Sequence, residues 1–137
     1  QVDIAQMSKW SEDLISVYNS VGLCIRPPVL QSVGPSAIAR LYSSFTGIDM
    51  TAEMIMKAGE RIWNLQKLFN VREGEKPEDS SYPDRFYTES QADDTADRRV
   101  LDRESVNDVL KRYYVARGWD IYEGTPTAQK LIELELC

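Results

Sequence analysis

The chain has 137 residues, 42% hydrophobic and 28% charged, with sixteen basic residues against twenty-two acidic ones. The net charge of −6 argues against nucleic acid, which needs clustered Lys and Arg to displace counterions. There is no histidine, so Ser-His-Asp, Cys-His and HExxH arrangements are impossible within the chain.

Residues 3–21 read as a helix. Ile4, Met7, Leu14, Val17, Tyr18 and Val21 recur at three- and four-residue steps and leave one apolar stripe. Gly22 suits the position just past a helix end, where a left-handed backbone is easiest. Pro27-Pro28 forbids regular helix through residues 24–34, which read as a connector. A second helix is predicted over 35–46, with Pro35 in its first turn, Ile38, Leu41, Tyr42 and Phe45 inward and Gly47 ending it.

Thr51 caps a third helix, predicted over 51–72, with Glu53 in its first turn. Met54, Ile55, Ala58, Ile62, Leu65, Leu68 and Phe69 keep helical spacing over several turns. Gly59 inside it costs about 1 kcal/mol relative to alanine and implies close approach of another backbone. Gly74 is the stop.

Residues 73–99 are polar and acidic, with three aromatics in Tyr82-Pro83-Asp84-Arg85-Phe86-Tyr87. A loop this long is functional or mobile. Its aromatics predict a middle pinned to the core and a mobile end. Asp102 caps a fourth helix that ends near Arg117, with Val106, Val109, Leu110, Tyr113 and Tyr114 inward and Gly118 terminating it. A turn with Gly124 and Pro126 leads to Thr127, the cap of a short last helix carrying Leu131, Leu134 and Leu136. No segment alternates like a half-buried strand. The expected fold is all-α, an irregular bundle of about five helices with a long acidic loop.

At this size about 68% of the unfolded surface is buried on folding, so neither disulfide nor metal is needed for stability. Cys24 and Cys137 lie far apart, unlike a disulfide framework. No run approaches the about 20 apolar residues of a membrane span, and no signal peptide is visible. The start at Gln1 rather than methionine suggests a piece of a longer protein.

The chain is poor in catalytic constellations. Asp93-Asp94 and Asp97 could bind a hard cation, but a solvated acidic loop is the plainer reading. Glu60-Arg61 and Arg72-Glu73 read as surface ion pairs and Tyr113-Tyr114 as core. On spacing alone Cys24 reads as a buried, inert thiol behind a helix end; a ligand role stays open.

Read together, the segments resemble a family. Asn19-Ser20-Val21-Gly22-Leu23-Cys24 resembles the second Asp-x-x-Gly-Leu-Cys motif of the tungsten-dependent aldehyde ferredoxin oxidoreductases. Thr46-Gly47-Ile48-Asp49-Met50-Thr51 is similar to that family's next signature. The most specific match is Gly59-Glu60-Arg61-Ile62-Trp63-Asn64-Leu65 with Phe69-Asn70-Val71-Arg72-Glu73-Gly74. Pro83-Asp84-Arg85-Phe86, Tyr113-Tyr114-Val115-Ala116-Arg117-Gly118-Trp119-Asp120 and Thr125-Pro126-Thr127 follow in the family's order. Only residues 91–100 have no clear counterpart.

The resemblance implies that residues 1–137 are a single C-terminal α-helical domain of a cytoplasmic enzyme from an anaerobic prokaryote. Members oxidise aldehydes to carboxylic acids and pass electrons to ferredoxin; relatives act on other acids, thioesters or aldehydes. They carry tungsten (or molybdenum) on a bis-pterin beside one four-iron four-sulfur (4Fe-4S) cluster, bound by an N-terminal domain that two helical domains cover. Three cluster cysteines lie upstream, and the fourth maps onto Cys24. The pterin-binding aspartate maps onto Asn19, which accepts without charge assistance, so a weaker bond is expected. Gly22 would let the backbone approach a bulky cofactor, and Leu23 would shield the cluster from water. The partners implied are the N-terminal and middle domains of the same polypeptide, ferredoxin and an aldehyde, with no nucleic acid and no membrane. The isolated piece is expected to bind no cofactor, to be inactive, and either to self-associate or to be loosely ordered over 24–34. A different class of reading is a cofactor-free helical interaction module derived from the same family, which Asn19 favours.

Overall fold

The computed structural model describes residues 3–26, 32–90 and 100–137. Helix α1 spans Ile4–Ser20 and starts where the Asp3 carboxylate accepts the Ala5 N–H at 3.0 Å. α2 spans Pro35–Thr46, with Pro35 in its first turn and Gly47 in a left-handed conformation after it. α3 spans Ala52–Arg72, and the Thr51 hydroxyl accepts the Met54 N–H at 3.2 Å. These starts and stops are those that the cap residues predict.

The core is shared by these three helices. Leu14, Val17 and Tyr18 of α1 pack with Ile38 and Ala39 of α2 and Ile55 of α3. Each large member contributes about 1.5–3 kcal/mol by leaving water. α1 and α3 meet closely at Gly59, where a Cβ would lie 2.1 Å from the Asp13 carbonyl oxygen. The mid-helix glycine is there because a second backbone fills the space of a side chain.

After α3 the chain makes a 3₁₀ turn over Pro77–Ser80 and a one-turn helix, α4, over Arg85–Thr88. The middle of this loop is held, but not by burial in the core as the aromatics suggest. Tyr82 is exposed and no residue of either short helix is buried. Instead Phe86 accepts the Leu101 N–H at 2.9 Å, and Asp84 pairs with Arg103 at 2.6 Å. The expected mobile end, and the acidic cluster of Asp93, Asp94 and Asp97, lie outside the described residues.

α5 spans Arg103–Arg117, capped by Asp102, whose carboxylate accepts from Ser105 N–H at 2.8 Å and Oγ at 2.7 Å. α6 spans Ala128–Glu133 behind the Thr127 cap. The turn between them is closed by Asp120, whose Oδ1 accepts the Tyr122 and Glu123 N–H groups, each at 2.8 Å. Among the described residues there is no strand, only an isolated antiparallel bridge between Trp119 and Pro126. The fold is all-α, and no helix of the described residues is long and apolar enough to cross a membrane.

The predicted inner stripes need correction. Ile4, Met7, Val21, Leu41, Phe45, Met54, Leu65 and Phe69 are exposed. The periodicity placed them on apolar faces, but those faces are wider than the cover that the other described helices supply.

Candidate functional site

The end of α1 is built by backbone hydrogen bonds. The Leu23 N–H donates to the Tyr18 carbonyl at 2.9 Å, and the Gly22 N–H donates to the Asn19 carbonyl at 3.4 Å. This pair closes the helix with Gly22 at φ +73°, which a residue without a Cβ adopts at no strain. Among the described residues, no atom beyond its chain neighbours lies within 4 Å of where a Gly22 Cβ would stand. The space beside the turn is therefore open.

The turn sends its next side chains in different directions. Leu23 is half-buried and packs against the core. Asn19 and Cys24 are exposed, and the Cys24 thiol is free. The buried, inert thiol read from spacing alone is corrected by this geometry. Leu23 takes the inward position that closes the helix end, which leaves Cys24 outside. The Arg26 N–H points at Cys24 Sγ at 3.4 Å. An N–H aimed at sulfur is one of the levers on the potential of a thiolate-bound iron centre. Neither this contact nor the exposure could be read from the spacing.

Beside the turn lies a groove of about 340 Å³ lined by Val21, Leu23, Leu41, Tyr42, Phe45 and others. Phe45 is 87% exposed. An apolar surface thus adjoins Cys24 and the exposed Asn19.

The direction of α1 is set from its other side by a buried polar network. Arg117, at the end of α5, is fully buried. It pairs with Glu12 at 2.5 Å and with Asp13, and donates to the Lys9 carbonyl at 3.2 Å. Tyr113 Oη accepts from Arg117 Nε and Trp63 Nε1, each at 3.1 Å, and donates to Glu12 at 2.6 Å. Burial opposes the Arg117 charge, but Tyr113, Glu12 and Asp13 more than offset it and raise its pKa. Burial, with Glu12 adding to it, pushes the Tyr113 phenol well above its usual range. Both groups keep their protons throughout the physiological range.

The network extends to α6. Glu60 bridges Lys9 at 3.2 Å and Lys130 at 3.3 Å, and Asn64 accepts the Trp119 indole N–H at 2.7 Å. Glu60 is therefore an inter-helix link rather than half of a surface pair with Arg61. Arg72 and Glu73 do form an exposed pair at 3.0 Å. Tyr114 is core as expected, whereas Tyr113 belongs to the polar network.

The residues present fit one share of an iron–sulfur site. Cys24 offers an exposed thiol with a backbone donor beside it. Among the described residues no three of His, Cys, Asp and Glu come together to hold a metal ion, so other ligands would have to come from elsewhere.

A family model described as aldehyde ferredoxin oxidoreductase, domains 2 and 3, matches residues 2–136. The chain is similar to the tungsten-containing aldehyde ferredoxin oxidoreductase of Pyrococcus furiosus, at 33% identity over 92% of this chain and 20% of that protein. It is also similar to the enzyme of the same name from Pyrococcus horikoshii, at 32% identity over 91% of this chain and 20% of that protein. The chain thus spans about a fifth of the length of the curated relatives it matches. Its fold matches a chain in the active-site complex BamBC of benzoyl coenzyme A reductase in complex with 1,5-dienoyl-CoA. The TM-score is 0.76 and the identity 24%, covering 96% of this chain and 19% of that one.

Proposed function

Because the chain belongs to the aldehyde ferredoxin oxidoreductase family, in the part formed by domains 2 and 3, we propose that it is the C-terminal helical domain of such an enzyme and that Cys24 ligates its four-iron four-sulfur cluster. The observation that carries this reading is the free Cys24 thiol, exposed at a hydrogen-bonded helix end, with the Arg26 N–H 3.4 Å from its sulfur.

The chemistry of the residues agrees with the role. A thiolate is the usual iron ligand in such clusters, and donors to its sulfur tune their potential. Asn19, one turn earlier, presents an amide that can accept from a pterin N–H, more weakly than a carboxylate would. Gly22 leaves room for a large group at the turn. The apolar groove containing Val21, Leu41 and Phe45 is the surface that the rest of the polypeptide would cover. In a complete enzyme a bound bis-pterin metal would supply the chemistry of oxidising an aldehyde to a carboxylic acid, and a cluster held in part by Cys24 would supply a route for the electrons toward ferredoxin. This chain's part is to hold one thiolate, contribute one amide toward a pterin and exclude water. By itself it would be inactive.

The test is metal analysis with electron paramagnetic resonance (EPR) on the full-length polypeptide, wild type against Cys24→Ser. Loss of the reduced-cluster signal with tungsten retained is the expected result. An unchanged signal overturns the ligand role and turns the reading to the cofactor-free helical module, which Asn19 in place of aspartate favours.

A further inference from the structure

Tyr18 holds both described ends of the segment that contains Cys24. Its carbonyl accepts the Leu23 N–H at 2.9 Å. Its hydroxyl donates to the carbonyl of Val33. Leu23 and Val33 themselves pack against the cluster in which Tyr18 is fully buried. One side chain and its own backbone thus fasten the chain one residue before the thiol and nine residues after it. The hydroxyl bond spans fifteen residues of sequence, and the described part of the enclosed segment carries the Arg26 N–H that points at Cys24 Sγ.

We infer that Tyr18 is a positioning residue for Cys24: its hydroxyl, by fixing Val33, sets where the Cys24 sulfur and its Arg26 donor stand relative to the cluster. The inference rests on Cys24 being a cluster ligand. The ring alone would satisfy packing, since a phenylalanine fills the same core. A buried hydroxyl at this place is needed only if something must be held, and what it holds is Val33, the far described end of the thiol-bearing segment. The deletion leaves the Val33 carbonyl without this donor but keeps the ring that packs in the core, so Tyr18→Phe should fold.

The experiment compares wild type, Tyr18→Phe, Ser43→Ala and Cys24→Ser in the full-length polypeptide, reduced with dithionite. Ser43 is a control of the same kind: its hydroxyl donates to the Ala39 carbonyl and accepts the Met50 N–H, and neither bond involves Tyr18, Val33 or the Cys24 turn. The readouts are iron content, the EPR g values of the reduced cluster and its midpoint potential. Tyr18→Phe is expected to keep its helical circular dichroism and to shift the g values. At the wild-type midpoint it should also change the oxidised-to-reduced ratio by about tenfold, which is about 59 mV for one electron. Loss of iron from a folded Tyr18→Phe protein supports the inference equally. Ser43→Ala is expected to leave the g values and the midpoint alone even if its melting temperature falls as far. Unchanged g values and midpoint in Tyr18→Phe overturn the positioning role, as does an equal change in Ser43→Ala. A cluster signal that survives Cys24→Ser defeats the ligand reading instead, which keeps the two failures apart.

Discussion

Gly59 of α3 lies against Asp13 of α1 so closely that a Cβ on it would stand 2.1 Å from the Asp13 carbonyl oxygen and 2.8 Å from its carbonyl carbon. Gly→Ala inside a helix ordinarily gains about 1 kcal/mol. Here the obstacle is backbone, which cannot rotate away. Gly59→Ala is therefore expected to destabilise by about 1–3 kcal/mol or more, as overpacking does. The check is the midpoint of urea unfolding, with a rise in stability as the contrary result. Asp13 also pairs with Arg117, so the forced shift would strain the buried network as well.

Arg117 is the second joint between helices. Asp13 is buried with it, and Glu12 is mostly buried. Arg117→Met takes from the buried Asp13 one of its two cationic partners, Lys9 at 2.9 Å being the other, so the expected loss is at or below the about 3–5 kcal/mol of a fully broken buried pair. Arg117→Lys should recover only part of this, because one ammonium cannot reach Glu12, Asp13, Tyr113 and the Lys9 carbonyl together. Adding Asp13→Asn to Arg117→Met should restore part of the loss by removing a buried charge that only Lys9 then balances. A double-mutant cycle by chemical denaturation measures this coupling, and additive losses would mean that the two charges are not coupled.

How much of this was legible in the sequence follows from which interactions are local. Thr51, Asp102 and Thr127 cap the helices that their positions announced, because a cap bonds a backbone group three residues away. Gly59 was legible as a close approach because a mid-helix glycine has a cost that needs a reason. Arg117 was not. It stands in the last helical turn, where a basic residue ordinarily answers the helix dipole, and its acidic partners lie 104 and 105 residues earlier. Cys24 was placed on the wrong side of the surface for a similar reason. Its exposure depends on Leu23 turning inward onto side chains from α1 and α2, which no local pattern records.

Asp120 and Asp102, with Glu133 beside Lys130, contribute to the acid limb of stability. The backbone N–H groups of Glu123 and Tyr122 hold the Asp120 carboxyl below its ordinary 3.8. The Ser105 hydroxyl and then its N–H do the same for Asp102. Both folded pKa values are depressed, so both contributions are present above pH 3.8 and are lost as the pH falls through the lower folded values. Asp120→Asn keeps an oxygen that can accept the same two N–H groups. It should cost a little stability at pH 7, where the ionised carboxylate's contribution is lost, and flatten the fall below pH 4. Urea midpoints between pH 2 and 6 test this, and an acid limb as steep in the variant as in the wild type would exclude Asp120 from it.

Phe45 stands 87% exposed beside Val21 and Leu41, both exposed, along the groove next to the Cys24 turn. Contiguous apolar surface of this kind drives association in water. This chain alone is therefore expected to self-associate through that face, which the remainder of a longer polypeptide would otherwise cover. The loose ordering expected as the alternative falls in large part outside the described residues, so association is the property to measure. Phe45→Asp should shift the chain toward monomer in light scattering while leaving its melting temperature within about 3 °C. A side chain this exposed contributes little to the fold, and surface changes usually stay within about 0.5 kcal/mol. Leu65→Asp, on an exposed position of α3 not among the groove's lining residues, is the matched control and should leave association unchanged. If Leu65→Asp dissociates the chain and Phe45→Asp does not, the contact lies on α3, and the face beside Cys24 is not what holds the copies together.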